Sequence, residues 1–286
     1  MMGRVSEKVA FITGAAHGQG RSHALRLAEE GADIVVTDAC APIHSLVDYK
    51  AATREDLEET RALVEKTGQK CVSAVADVRD RAALTGAVEV GIEAFGRIDI
   101  VCANAGIMTV HEHSWDIPED AVDAVLDTNL KGVWNTVVAT APYMVESKRG
   151  GSIILTSSTA GLRGHTPYAH YAASKHGVVG LMKAFANELS RYKIRVNTVH
   201  PTGVLTEGMG TFSDRTMAII GSSVTGLAGA TNILPDLDAD PDAEYAPVPL
   251  LLPIEISNAV LWLASDEARY VTGVALAVDA GNTVKP

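Results

Sequence analysis

The sequence predicts an α/β protein, a single doubly wound domain over residues 1–286 whose seven-stranded parallel sheet is flanked by helices. Three observations carry this expectation. Short Val- and Ile-rich runs alternate with longer segments of helical period from residue 7 to 200, the pattern of parallel strands joined by crossover helices. A glycine-rich turn, Gly14 to Gly20, follows the first apolar run and opens the first helical segment. The apolar content, 47% of 286 residues, is enough for one large core.

Taken in order, strands are expected at 8–13, 33–38, 70–76, 98–103, 151–157, 193–199 and 274–279, each an apolar run too short to stand as a free helix. Between them, 19–30, 53–67, 81–94, 119–146, 168–192 and 254–264 read as helices, several opened by Thr, Asp or Pro, which cap or tolerate a first turn. Strand-to-helix loops usually take about 2 to 6 residues, and two connections exceed that: 39–52 after the second strand and 203–253 after the sixth. The second holds Pro235, Pro241, Pro247, Pro249 and Pro253 with an acidic stretch over 236–244. It is expected to be a substrate lid of irregular backbone, with apolar patches at 217–220 and 248–252 facing the substrate.

Charge and composition exclude several classes of function. Lys plus Arg number 24 against 35 Asp plus Glu, a formal charge of −11, and no basic cluster is present to displace counterions from a polyphosphate, so nucleic acid is not an expected partner. No run approaches the roughly 18 apolar residues of a bilayer span and no basic, apolar leader opens the chain, so a cytoplasmic protein without membrane attachment is expected. Cys40, Cys71 and Cys102 form neither a disulfide framework nor a close-spaced zinc pair and are expected as reduced thiols near strand ends. His111 and His113 flank Glu112, but a ligand trio so close in sequence needs remote partners; bordering a pocket is the better reading, and no metal is expected. Trp115, Trp134 and Trp262 read as packing residues.

Chemistry concentrates at strand ends. Gly14, Gly18 and Gly20, with His17 and Gln19 between them, let the backbone turn sharply and approach a pyrophosphate at the following helix N-terminus, although the same glycines also serve tight packing. Asp38 ends the next strand about 20 residues on, where a carboxylate accepts both ribose hydroxyls and repels a 2′-phosphate, or else caps a loop; that favours NAD over NADP, with Arg21 as the nearby cation that would accommodate phosphate. Tyr171 and Lys175 stand at i and i+4, one above the other on a helix face, and a nearby ammonium lowers a phenol's pKa from its usual value of about 10. Ser157 and Ser158 end the fifth strand, on the edge where open α/β sheets bind ligands.

Over essentially its whole length the chain resembles the classical short-chain dehydrogenase/reductase family of Rossmann-type proteins, in the run Thr13 to Gly20, Asp77-Val78, Asn104-Ala105-Gly106, Asn129, Ser158, Tyr171 with Lys175, and Pro201 with Thr206, all in family order. The resemblance implies a catalytic tetrad. In it Tyr171 is the general acid/base, Ser158 holds the reacting oxygen, Lys175 binds the nicotinamide ribose and tunes Tyr171, and Asn129 positions a water for proton relay. It further implies that Asp77 and Val78 contact adenine, that Asn104, Ala105 and Gly106 form the turn beside the cofactor, and that Val204 and Thr206 meet the nicotinamide carboxamide. Ala103, Thr202 and Ala280 stand where the family usually has Asn, Gly and Gly.

The 39–52 insertion, His200-Pro201-Thr202 and the long 203–253 connection resemble the actinobacterial, carveol-dehydrogenase-like branch, also described as mycofactocin-coupled. That resemblance implies a hydrophobic secondary alcohol and its ketone as substrates, NAD held without free exchange and an external redox carrier that reoxidises it; the wider family resemblance implies a homotetramer. The insertion is expected to fold over the adenosine, or else to serve as a surface or oligomer contact. Two alternatives share the same motifs: a 3-oxoacyl-[acyl-carrier-protein] reductase, disfavoured by Asp38 and the acidic charge, and a catalytically idle NAD-sensing scaffold.

Overall fold

β1 (Val9–Thr13) is buried at all five positions, and its side chains divide by parity. Ala10 and Ile12 enter one apolar layer, Val9 and Phe11 the other, as the two-residue period of a strand buried on both faces requires. It is the centre of the sheet. In this computed structural model, which describes residues 3–208, 211–222, 232–238, 240 and 246–284, β1 pairs in parallel with β2 (Asp33–Asp38) on one side and β4 (Ile100–Ala103) on the other. With β3 (Cys71–Val75), β5 (Gly151–Thr156), β6 (Ile194–Pro201) and β7 (Ala275–Val278), the order is β3-β2-β1-β4-β5-β6-β7, parallel throughout. The winding reverses between β1 and β4, which opens a crevice beyond their C-terminal ends.

Helices cover both faces. α1 (Gly18–Glu29), α2 (Arg54–Glu65) and α8 (Pro253–Ala264) bury Leu27, Leu57, Val260 and Leu261 on one side. On the other, α3 (Arg81–Phe95), α5 (Gly132–Ser147) and α6 (Ala169–Leu189) bury Leu84, Val88, Val137, Val178 and Met182. Local chemistry sets their ends: Thr53 and Asp56 form a reciprocal capping box at α2, Asp80 accepts from Ala82 and Ala83 N–H at α3, and Gly96 closes α3 at φ 74°. No helix among the described residues is long and apolar enough to cross a membrane.

Three places depart from the sequence reading. The expected 119–146 helix is divided into α4 (Glu119–Leu126) and α5 by a π-helical turn, Asp127–Lys131, which bulges the backbone at Asn129. The 203–253 connection is not wholly irregular: it carries α7 (Asp214–Ser222), with Ile220 buried and Met217 exposed, and Leu251 bridges Val204. Its acidic stretch and Pro241 lie partly or wholly outside the described residues. Trp115 is no packing residue; it is 80% exposed and stacks on His113, centroids 4.4 Å apart. Ala280 takes φ 48°, the left-handed conformation that explains the usual glycine there. Cys102 lies within β4, and burial pushes its thiol and that of Cys71 up to about 12, which keeps both protonated.

Candidate active site

A cleft of about 560 Å³ lies along the C-terminal edge of the sheet, with the β1–α1 turn at one end and the β5–α6 connection at the other. The turn is made for close approach. Gly14 takes φ 65° and Gly18 φ 57°, and a Cβ on Gly20 would fall 2.1 Å from Gly14 O. Asn104 ties this turn to β4, its Nδ2 donating to Thr13 O (3.1 Å) while its own N–H and that of Ala105 donate to Thr13 Oγ1. Asn104 therefore also braces the central strands. Gln19 Oε1 is buried on the cleft wall without a hydrogen-bond partner, an acceptor that suits a ligand's donor.

Asp38 faces the turn from the end of β2, accepting from Ala16 N–H (3.2 Å) and Cys40 N–H (3.1 Å). Arg21, the cation that would have favoured a 2′-phosphate, is committed elsewhere. Its guanidinium donates to Ala16 O, Asp56 O and Thr60 Oγ1 and pairs with Glu59 at 2.9 Å. Asp77 and Val78 line the cleft, but the Asp77 carboxylate is held on two sides by Arg79, whose cation outweighs burial and keeps Asp77 below its ordinary pKa.

At the other end, Ser158 Oγ accepts from Ala160 N–H (3.1 Å) and hydrogen-bonds the Tyr171 hydroxyl. Lys175 Nζ lies 5.5 Å from the Tyr171 ring centroid and donates to Thr156 O at 2.9 Å. The expected lowering of Tyr171 by Lys175 is not what this environment gives. Burial raises the phenol, with the Ser158 hydrogen bond opposing it, and brings Lys175 down to about 8. The two titrations are thus drawn apart, the phenol keeping its proton to higher pH than the Lys175 ammonium, and the Tyr171 hydroxyl stands where it can exchange a proton with a small oxygen held beside Ser158.

Most of the sequence-predicted residues line this one cleft: Gly14, His17, Gly18, Gln19, Asp38, Asp77, Val78, Asn104, Ala105, Gly106, Ser158, Tyr171, Lys175 and Thr206. Gly20, Asn129 and Val204 stand behind it. Asn129, in the π turn, exchanges hydrogen bonds with the Ile107 backbone, donating to its O and accepting from its N–H, both at 2.8 Å, and donates to Ser174 Oγ. Its Oδ1 and Lys175 Nζ would lie 3.2 and 3.4 Å from a Cβ at Gly106, so both converge on that glycine. Val204 is packed in the core. His111 and His113 do not border the cleft: His111 reaches Thr109 Oγ1, which also bonds His170, and His113 lies against Trp115. No cluster among the described residues could hold a metal ion.

The sequence reading named Ser157 and His200 but gave neither its supporting role. His200 Nδ1 meets Ser158 O at 2.7 Å, and Ser157 Oγ donates to Lys175 O at 2.9 Å, so β5 and β6 jointly hold the Ser158–Lys175 geometry. Ser157 had only its place at a strand end, and His200 its place in the His200-Pro201-Thr202 run, and neither signal tells which backbone group the side chain meets. Tyr49 and Phe212, from the two long connections, also line the cleft.

Residues 8–216 match the family model described as short chain dehydrogenase. The chain belongs to this family. Among relatives of this dehydrogenase, the (-)-trans-carveol dehydrogenase of Rhodococcus erythropolis is 43% identical over 293 residues, covering 99% of this chain and 100% of that one. Solved structures agree over the same extent. A short chain dehydrogenase from Mycobacterium paratuberculosis bound to NAD superposes with a TM-score of 0.90 at 43% identity, and a carveol dehydrogenase from Mycobacterium avium in complex with NAD with 0.87 at 46%. Each match covers 99% of the dehydrogenase and 100% of its counterpart.

Proposed function

We propose that this dehydrogenase interconverts a hydrophobic secondary alcohol, of the carveol class, and its ketone, using NAD that it retains through turnover and that an external carrier reoxidises. The observation that carries the reading is the Ser158–Tyr171–Lys175 group set against an apolar wall of Val47, Ile107, Met108 and Phe212 at one end of a cleft whose other end is Asp38 and the glycine turn. The cleft fits a dinucleotide: the turn admits a pyrophosphate, Asp38 suits a ribose diol, and Arg21 is not free for a 2′-phosphate. When bound, NAD supplies the hydride acceptor. The chain handles the proton: Ser158 would hold the alcohol oxygen, Tyr171 in its phenolate form would accept the hydroxyl proton, Lys175 in its charged form would steady that phenolate beforehand, and Asn129 braces the Ile107 backbone beside them.

In this reading 39–52 is a strap over the cleft and 203–253 is the lid of one domain. The family resemblance adds a homotetramer, and the short apolar runs of the sequence support a cytoplasmic place for it. The reading is tested by denaturing extensively dialysed protein prepared without added cofactor, quantifying the released dinucleotide, and assaying carveol oxidation with an artificial electron acceptor. Near-stoichiometric NAD with acceptor reduction is expected. An empty site would refute retention, and no oxidation of any secondary alcohol would refute the activity.

One lid residue bears on affinity. Gly18 N–H, at the N-terminus of α1, donates to Glu207 Oε2 at 2.9 Å, and a pyrophosphate uses the same donors. Glu207→Gln removes a competing negative charge from a helix N-terminus, a term of about 0.3–1 kcal/mol. About two- to fivefold tighter NAD binding is expected by calorimetry on dinucleotide-stripped protein; unchanged or weaker binding would show that Glu207 does not compete there.

A further inference from the structure

The 39–52 strap does more than pass the ribose end of the cleft. Pro42, His44 and Ser45 line the cleft after Asp38, and Ile43 and Val47 pack against the cluster of Ile107, Ala124 and Val125 on which Tyr171 also packs, at the opposite end from the glycine turn. Tyr49 follows. Its ring meets Phe212 edge-on, centroids 5.9 Å apart at 74°, and lies against Gly208, where an added Cβ would touch Tyr49 Cδ2 at 3.5 Å. Its hydroxyl is buried, hydrogen-bonded with the Met108 backbone and within electrostatic reach of Tyr171.

Both neighbours of Tyr49 are anchored. Asp48 accepts from Ser213 N–H (3.1 Å) and from the hydroxyls of Ser213 and Thr216, holding the first turn of α7, while Lys50 N–H donates to Thr211 Oγ1 (3.1 Å). The hydrogen bonds to Asp48 hold its carboxyl below the ordinary range, so this anchor persists at neutral pH. A side chain fixed on both sides by lid contacts and seated on a neighbouring aromatic edge has little freedom to yield to a ligand.

We propose that Tyr49 is a specificity-determining residue that sets the size of the alcohol subsite, forming with Phe212 an aromatic corner that admits a single carbocycle beside Tyr171. This rests on the alcohol reading above and moves part of substrate choice from the lid to the cofactor-side insertion. Two rings in edge-to-face contact form a continuous angled apolar surface, which suits a compact ring skeleton whose C–H groups rest in the angle against both. A larger bicyclic skeleton must displace an anchored side chain, whereas a short acyclic alcohol leaves the corner unfilled. Apolar complementarity of this kind discriminates by about 10- to 200-fold.

The test compares kcat/KM for 2-butanol, carveol and borneol in the wild-type chain, Tyr49→Ala and Tyr49→Phe, with released dinucleotide quantified and thermal unfolding recorded for each. Tyr49→Ala is expected to lower the carveol value at least tenfold, to change 2-butanol less than threefold, and to raise borneol relative to carveol. Tyr49→Phe keeps the ring and is expected to retain the wild-type order, and it serves as the folded control if the alanine variant unfolds: a changed order there overturns the corner model. Equal losses on all three alcohols, or a change confined to dinucleotide content, would show that Tyr49 acts on cofactor rather than substrate. Wild-type turnover with an unaltered preference in Tyr49→Ala overturns this proposal alone; wild-type turnover of none of the three overturns the alcohol reading and this proposal with it.

Discussion

Tyr171→Phe is expected to reduce turnover of any accepted secondary alcohol by about 10²- to 10⁴-fold, the range that positioned proton transfer contributes, while the dinucleotide content per chain stays at the wild-type level. The substitution removes one oxygen. The ring's packing on Ile107, Ala124 and Val125 and the 5.5 Å approach of Lys175 to its face do not depend on that oxygen, and neither do the glycine turn and Asp38. What is lost is the hydroxyl bonded to Ser158, the only group in the proposed mechanism that accepts the alcohol's hydrogen. Single-turnover measurements beside dinucleotide quantification separate the two functions. A kcat within tenfold of the wild type would remove Tyr171 from the proton transfer.

Lys175→Met is expected to abolish most activity and to change how stability depends on pH. The wild-type ammonium titrates near 8 in the folded chain and near its ordinary 10.5 in the unfolded one, because burial disfavours the charge. Between those values the unfolded state holds more protons, so stability rises with pH across the window and the penalty of burying the charge is felt in full below pH 8. A methionine has no such proton. Relative to Lys175→Met, dinucleotide-free wild-type protein should therefore gain about 2–3 kcal/mol between pH 7 and pH 10. Urea unfolding of both chains at the two pH values measures it, and a constant difference would contradict a depressed Lys175. Loss of the bond to Thr156 O offsets part of the variant's advantage at pH 7 but is common to both pH values.

Much of this was legible because the informative signals are local. The turn from Gly14 to Gly20 and Asp38 are read from spacing within one strand–turn–helix–strand unit, and the structure puts both on the cleft. Tyr171 and Lys175 are four residues apart on one helix, so their adjacency was readable; their titration was not, because burial comes from residues remote in sequence. The π turn at Asn129 was hidden for a different reason. Buried positions continue at three- and four-residue intervals from Ala121 through Thr128 to Gly132, so the apolar period shows no break. The 39–52 segment has no period at all, and its placement depends on Asp48 meeting Ser213 and on Tyr49 meeting Phe212, pairings that no local rule supplies.

The contacts at Asp48 and Glu207 have a joint topological consequence. From Asp38 the backbone runs to Asp48, crosses by hydrogen bonds to Ser213, returns along the chain to Glu207, and crosses again to Gly18 beside β1. That circuit is closed by two carboxylate clasps and otherwise by covalent chain, and Gly18 and Asp38 on it line the cleft. The clasp at Asp48 joins three hydrogen bonds and the one at Glu207 a single bond, so the circuit is far from evenly fastened. An occupant whose pyrophosphate takes the Gly18 N–H opens the Glu207 clasp itself, and the three hydrogen bonds at Asp48 are then the fastening that remains.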